Sequence, residues 1–85
     1  MITSAACRAT VNGEKNVFPV MRHADFFLWM KLLHCKYDKW AVEQGFLDWN
    51  GEEEKFVSRA EAAKIAYACG QIKEPLTILY SEDIY

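Results

Sequence analysis

A guanidinium, an imidazole and a carboxylate stand together just before the most apolar run of the sequence. Residues 22–25 read RHAD, so Arg22, His23 and Asp25 precede FFLWMKLL. If a helix begins here, its free amides attract anions, and the arginine and the histidine add donors to them. We expect Arg22 to offer a planar fork for phosphate or carboxylate, and His23 a second donor, strongest below about pH 6.5. Asp25 would hold one of these two side chains in place.

A further arginine stands at the start of the second predicted helix. Arg59 follows Ser58, and the free amides of its helix give it the same preference for anions. We therefore expect Arg59 to complete the site from elsewhere in the chain. The alternative is that Arg22 simply pairs with Asp25 on the surface as part of a helix cap, which would be worth no more than about 1 kcal/mol.

Metal binding and covalent catalysis find little support in the sequence. His23 and His34 are eleven residues apart, roughly 16 Å along one helix, whereas the ligands of a zinc ion lie about 2 Å from it. Cys35 adjoins His34, but neighbours on a helix point about 100° apart. No glycine-rich phosphate loop, nucleophile elbow or C-x-x-C pair occurs. We expect no metal, no cofactor and no enzymatic activity; in a catalytic reading, His23 would be the general base.

Two Asn-Gly dipeptides predict the hairpins that would surround these residues. Asn12-Gly13 lies between ITSAACRATV and EKNVFPVM, and Pro19 places the second arm at a sheet edge or ends it. Asn50-Gly51 lies within GFLDWNGEEEKFV, and the acidic run at residues 52–54 is read as a solvated tip.

The first helix is predicted by an apolar stripe that includes Phe26, Met30 and Leu33. It either runs from about Ala24 to Gln44, stopped by Gly45, or breaks near Tyr37–Lys39.

The second helix begins at a capping box formed by Ser58 and Glu61 and ends at Gly70. Its alanine face indicates close packing on a sheet. After Pro75, the segment Leu76–Tyr80 favours a last strand. The order β-β-α-β-β-α-β predicts an α+β domain with two main helices packed on a small, mostly antiparallel sheet.

Composition and charge limit the classes of fold and function that this chain can have. Its 85 residues predict a single domain, 1–85, with a thin stability margin. We therefore expect the aromatic residues to contribute much of the buried area, and a homo-oligomer is one outcome. They are Trp29, Trp40 and Trp49 with five phenylalanines and four tyrosines. The net charge of −2 argues against a nucleic-acid-coating protein. Residues 1–41 carry six basic against three acidic residues, and residues 42–85 carry four against nine.

The cysteines and the first residues predict a compartment. Cys7, Cys35 and Cys69 form an odd set typical of small core residues in a reduced protein. The start of the sequence lacks the features of a signal peptide, and the longest apolar run is too short to span a bilayer. We expect a soluble, cytoplasmic protein without a membrane partner.

Several motifs resemble those of a family of small bacteriophage proteins without an established activity. RHAD, QGFLD, FVSRAEAAKIAYACGQI and LYSEDIY are similar to its R-H-x-D, G-F-[IL]-D, F-x-x-R-x-E-A-x-x-x-A with G-Q-I, and Y-S-E-D-[LI]-Y. The resemblance spans nearly the whole chain and implies a phage origin but no reaction. Since the shared residues are polar as well as apolar, it also implies a common pocket, with the tail folded back onto the first helix. The polar members are Arg22, His23, Asp25, Arg59, Glu61, Gln71, Glu82 and Asp83.

Two functions in the host cytoplasm follow as expectations. One is a non-enzymatic module that sequesters a small anionic, nucleotide-like ligand such as a host defence signal. The alternative is a counter-defence inhibitor that docks on a host or competing-phage protein. An enclosed pocket lined by Arg22 and His23 favours the first function, and an exposed aromatic patch favours the second.

Overall fold

The computed structural model describes residues 1–84 and consists of a four-stranded sheet with two helices on one face. The sheet order is β2-β1-β3-β4, and all three pairings are antiparallel, which confirms the predicted α+β fold. Tyr85, the last residue of the phage-family motif, lies outside the described residues. The elements are β1 (Ile2–Val11), β2 (Glu14–Val20), α1 (His23–Leu32), β3 (Glu43–Trp49), β4 (Glu54–Ser58), α2 (Arg59–Ala68) and a 3₁₀ turn (Ser81–Asp83).

Both predicted hairpins are confirmed. Asn12 and Gly13 have φ values of 51° and 87°, as the two central residues of a type I′ turn require. In the second hairpin the side-chain oxygen of Asn50 accepts hydrogen bonds from the main-chain nitrogens of Glu52 and Glu53. The last acid of that run, Glu54, already belongs to β4.

The first helix is shorter than either reading of the sequence. α1 ends after Leu32 because His34 takes a left-handed conformation, φ 53°. The main-chain nitrogen of Cys35 then donates to the Met30 carbonyl at 3.1 Å. This closes a Schellman motif with a histidine in the usual place of glycine. Gly45, expected to stop the helix, lies instead inside β3.

The second helix matches its prediction closely. The Ser58 hydroxyl accepts a hydrogen bond from the Glu61 nitrogen at 3.1 Å, and Gly70 ends the helix with φ 76°. Its alanine face is buried against the sheet at Ala62, Ala63 and Ala66.

The predicted last strand at Leu76–Tyr80 is wrong. This segment is irregular and runs beside the start of α2, where the Leu79 nitrogen donates to the Arg59 carbonyl at 3.1 Å and the Leu79 side chain is fully buried. The chain reaches it through Gln71, whose side chain makes two 2.8 Å hydrogen bonds to the main chain of Ile2. The C-terminal segment therefore completes the core from the helical layer, and the sheet stays four-stranded.

The expected burial of the aromatic residues is confirmed for two phenylalanines, Phe26 and Phe46, and wrong for the tryptophans. Trp29 and Trp40 are 55% and 88% exposed, and Trp49 is partly exposed as well. The largest fully buried side chains are instead Phe26, Phe46, Leu79 and Cys7. The small residues Ala5, Cys7 and Ala9 of β1 are buried in the same core clusters.

Of the three cysteines, one is a core residue. Cys7 is fully buried, and burial raises the pKa of its thiol to about 11. Cys35 is partly exposed and Cys69 is exposed, so the expectation of small core residues is confirmed for Cys7 and wrong for Cys69.

Candidate anion site

A cleft of about 450 Å³ lies where the starts of both helices meet the C-terminal segment. Three of the four predicted site residues line it. The C-terminal segment forms its other wall, so the predicted folding of the tail onto the first helix is confirmed. The lining residues are Arg22, His23, Ala24, Phe27, Gln44, Arg59, Tyr80, Ser81 and Glu82.

Arg59 is the most constrained cation of the cleft. Its Nη2 donates to the side-chain oxygen of Gln44 and lies 3.5 Å from His23 Nδ1. The guanidinium carbon sits 5.4 Å from the centre of the Tyr80 ring, within cation–π range. Its Nε is buried and has no hydrogen-bond partner within the part of the chain that the structure describes. A buried donor without a partner costs about 1–3 kcal/mol, and such groups are rare in native structures.

His23 supports Arg59 and does not act as a donor toward the cleft. Its side chain is buried, and Nε2 lies 2.7 Å from the Gly45 carbonyl oxygen. Because a carbonyl only accepts, Nε2 carries the proton and Nδ1 is the acceptor that faces Arg59. Burial lowers the pKa of His23 below its ordinary value, and the nearby charge of Arg59 lowers it further, against the opposing effects of the Gly45 hydrogen bond and Glu82. The expected second donor is therefore a neutral positioning residue.

Arg22 joins the start of α1 to the tail. Its main chain caps the helix, and its Nη1 donates to the Ser81 carbonyl at 3.2 Å. Asp25, in contrast, does not line the cleft. Its carboxylate accepts a hydrogen bond from the main-chain nitrogen of Arg22 at 3.2 Å, so it caps the helix and does not orient a side chain of the site.

Two of the residues that contact Arg59 in the cleft were not singled out from the sequence. Gln44 was placed at the end of a long first helix, and no local signal marks it as a partner of Arg59. Tyr80 was assigned to a strand, although it begins the Y-S-E-D-[LI]-Y motif that the resemblance rests on. That motif was the available signal for its place in the site.

The charges of the cleft suit a small anion with a planar group. Arg22 and Arg59 contribute two positive charges and Glu82 one negative charge, and Tyr80 and Phe27 offer aromatic surface. Among residues 1–84, no group of three or more histidine, cysteine or acidic side chains is placed to hold a metal ion. Within the same residues, no helix has the length and apolarity needed to cross a membrane.

Comparison with known proteins gives one match. The sequence fits the protein-family model described as "Phage T4 y16D protein" over residues 1–85. No curated protein and no solved structure matches the chain.

Proposed function

The chain belongs to this family of phage proteins, and from that premise we propose that it binds and sequesters a small anionic, nucleotide-like ligand in the cleft. One observation carries the proposal. The guanidinium groups of Arg22 and Arg59, 37 positions apart in the sequence, line the same cleft of about 450 Å³. That volume falls within the range of about 300–1,000 Å³ typical of small-molecule sites.

In the proposed binding mode, the charged group and the planar group of the ligand occupy different ends of the cleft. A phosphate or carboxylate lies between Arg22 and Arg59, because guanidinium forks match the geometry of both groups. A planar base packs on Tyr80, whose ring is half exposed. Glu82 accepts a hydrogen bond from a hydroxyl or amino group, which selects a nucleotide over inorganic phosphate.

We place this activity in the host cytoplasm and describe it as non-enzymatic. His23 is the titratable side chain nearest neutrality in the cleft, but its Nδ1 faces a fixed cation and its Nε2 proton is held by a carbonyl. Both nitrogens are thus occupied in supporting the site. A protein that holds a nucleotide signal without consuming it removes that signal in proportion to its own concentration.

Calorimetric titration tests the proposal, with a panel of nucleoside mono-, di- and triphosphates, dinucleotides and inorganic pyrophosphate as probes. We expect at least one nucleotide to bind. Arg22→Ala and Arg59→Lys should each weaken the binding of that nucleotide at least tenfold, about 1.4 kcal/mol. Arg8→Ala is the matched control, since Arg8 pairs with Glu43 away from the cleft. The proposal is wrong if none of the probes binds, or if both cleft variants bind as the wild type does.

A second candidate function is docking on a host protein as an inhibitor. The observation that favours it is the exposed apolar surface of α1, where Leu28, Trp29 and Leu32 are all exposed. Phage carrying Arg59→Lys or Leu32→Glu distinguish the two functions. Loss of fitness with the leucine variant alone favours docking, and loss with the arginine variant alone favours ligand binding.

A further inference from the structure

Glu82 brings a negative charge into a cleft that otherwise favours anions. Among residues 1–84 its carboxylate makes no hydrogen bond or ion pair, and it pairs with neither Arg22 nor Arg59. Burial lowers the pKa of His23, and the charge of Glu82 opposes that effect, so the carboxylate lies near this buried ring. A ligand that fills the cleft therefore meets two positive charges and one negative charge that the protein has not neutralised.

We propose that the base of the ligand is guanine and that the Glu82 carboxylate recognises it. The inference rests on the nucleotide-binding function proposed above and names the nucleotide. Guanine presents two adjacent donors, N1–H and the 2-amino group, on the edge through which bases pair. An ionised carboxylate has two acceptor oxygens and accepts such a pair of donors side by side.

The other common bases do not match a carboxylate. Adenine and cytosine each place a ring-nitrogen acceptor beside their amino group, and uracil has a single ring N–H between two carbonyl oxygens. An acceptor that faces the carboxylate leaves both groups without a hydrogen bond, which a site built for donors penalises. A good bidentate pair separates the right base from the wrong one by roughly tenfold to a hundredfold.

The charges also decide which end of the nucleotide meets Glu82. In the proposed binding mode the phosphate lies between Arg22 and Arg59, and repulsion between like charges holds it away from the carboxylate. The base edge is the part of a nucleotide farthest from its 5′-phosphate, and the ribose lies between the two. The base edge, and not a ribose hydroxyl, is therefore the partner of Glu82.

Tyr80 and Glu82 are close enough in the chain to hold one base together. Tyr80 directly precedes the 3₁₀ turn Ser81–Asp83, and its main-chain nitrogen donates to the Asp83 carboxylate at 2.8 Å. Two Cα atoms separated by one residue are at most about 7.6 Å apart, and both side chains line the same cleft. An aromatic ring on the face of a base and polar groups on its pairing edge are how proteins recognise a single base.

Calorimetric titration with nucleotides that differ only in base or sugar tests the inference. The probes are the guanosine, 2′-deoxyguanosine, inosine and adenosine nucleotides, in the form (mono-, di- or triphosphate, or dinucleotide) that binds in the panel above. We expect the guanosine and deoxyguanosine probes to bind alike, and at least tenfold more tightly than the adenosine probe. Inosine keeps N1–H and lacks the 2-amino group, so its affinity should fall between those of guanosine and adenosine.

Glu82→Gln separates recognition of the base from a structural role. The amide offers one acceptor and one donor, the pattern that matches adenine and not guanine. We expect the variant to bind the guanosine probe at least tenfold more weakly and the adenosine probe at least as tightly as the wild type does. A loss of structure would weaken both probes. Glu74→Gln is the matched control, since it removes the same charge from an exposed residue outside the cleft, and it should keep the preference for guanine.

Two results overturn the inference and leave the proposed function intact. The first is nucleotide binding without a preference for guanine, including binding that depends on the 2′-hydroxyl group and not on the base. The second is a preference for guanine that persists in Glu82→Gln. If no nucleotide binds, the proposed function and this inference are both wrong.

Discussion

At the residue scale, the site depends on three polar groups that contact one another in sequence. The Gly45 carbonyl fixes the tautomer of His23, and His23 in turn presents an acceptor to Arg59. Gln44 holds the same guanidinium from a neighbouring position on β3. These contacts hold the half-buried guanidinium of Arg59 in place without neutralising it, so its positive charge remains in the cleft.

The stability of the protein should depend on the protonation of His23. Its pKa is lower in the folded protein than the ordinary value of 6.5, so the unfolded chain takes up the proton first as the pH falls. The contribution of His23 is complete above pH 6.5 and is lost below it, by up to about 1.4 kcal/mol for each pH unit. Urea unfolding at pH 7.5 and 5.5 measures this loss.

Two variants identify the source of that pH dependence. In His23→Gln the free energy of unfolding should vary less between the two pH values, since no imidazole remains at this position. His34→Asn removes the exposed histidine and keeps a residue that tolerates φ > 0, so it should retain the wild-type dependence. An unchanged pH dependence in His23→Gln would contradict the assignment.

The residue type predicts the position of some site residues better than that of others. Arg22 and Arg59 line one cleft, as expected from two arginines beside helix starts; their role toward an anion stays a prediction. The roles of His23 and Asp25 were mistaken, since a histidine or an acid at a helix start serves equally well as ligand donor, cap or support. Only the three-dimensional positions of Gly45 and the Arg22 nitrogen decide among these roles.

At the element scale, β3 depends on Gly45, which the sequence analysis expects at the end of the first helix. A Cβ atom at Gly45 would lie 2.2 Å from the Val57 carbonyl oxygen and 2.5 Å from the Phe56 ring. The absence of a side chain lets β4 pair closely with β3, and the same residue provides the carbonyl that holds His23.

Gly45→Ala should therefore destabilise the protein by about 1–3 kcal/mol, as overpacking does, because the nearest obstacle is main chain and cannot rotate away. Chemical denaturation measures the change in the free energy of unfolding. Gly45 does not have a positive φ, so the loss of stability reports the missing space and not backbone strain. A Gly45→Ala protein as stable as the wild type would show that β3 and β4 separate at little cost.

The elements that were predicted well are those with local signals. Asn-Gly turns and a serine cap act over a few residues, so both hairpins and α2 follow from the sequence. The end of α1 depends on His34 in a left-handed conformation. A glycine at this position would have predicted the end of the helix, and a histidine does not. The segment at Leu76–Tyr80 has strand propensity, but the burial of Leu79 beneath the helical layer determines its path, and a linear sequence does not reveal that contact.

At the scale of the whole molecule, the core and the cleft are held by the same C-terminal segment. Leu79 packs in the core cluster with Phe46 and the alanines of α2. The next two residues, Tyr80 and Ser81, then form a wall of the cleft. The core and the proposed binding site therefore share one anchor that is distant in sequence from the sheet.

Leu79→Ala tests the role of this anchor, with Leu76→Ala as the matched control. Truncating a fully buried leucine costs about 2–5 kcal/mol, whereas Leu76 is 38% exposed and should cost much less. For a domain of this size, each kcal/mol lowers the melting temperature by about 4–8 °C. At a temperature where Leu79→Ala is still folded, we expect it also to weaken nucleotide binding at the cleft, because Tyr80 and Ser81 lose their anchor. A Leu79→Ala protein that melts at the same temperature as the Leu76→Ala control would show that the C-terminal segment is not part of the cooperative core. The contacts of Arg22 and Arg59 with this segment would then have to hold the wall of the cleft.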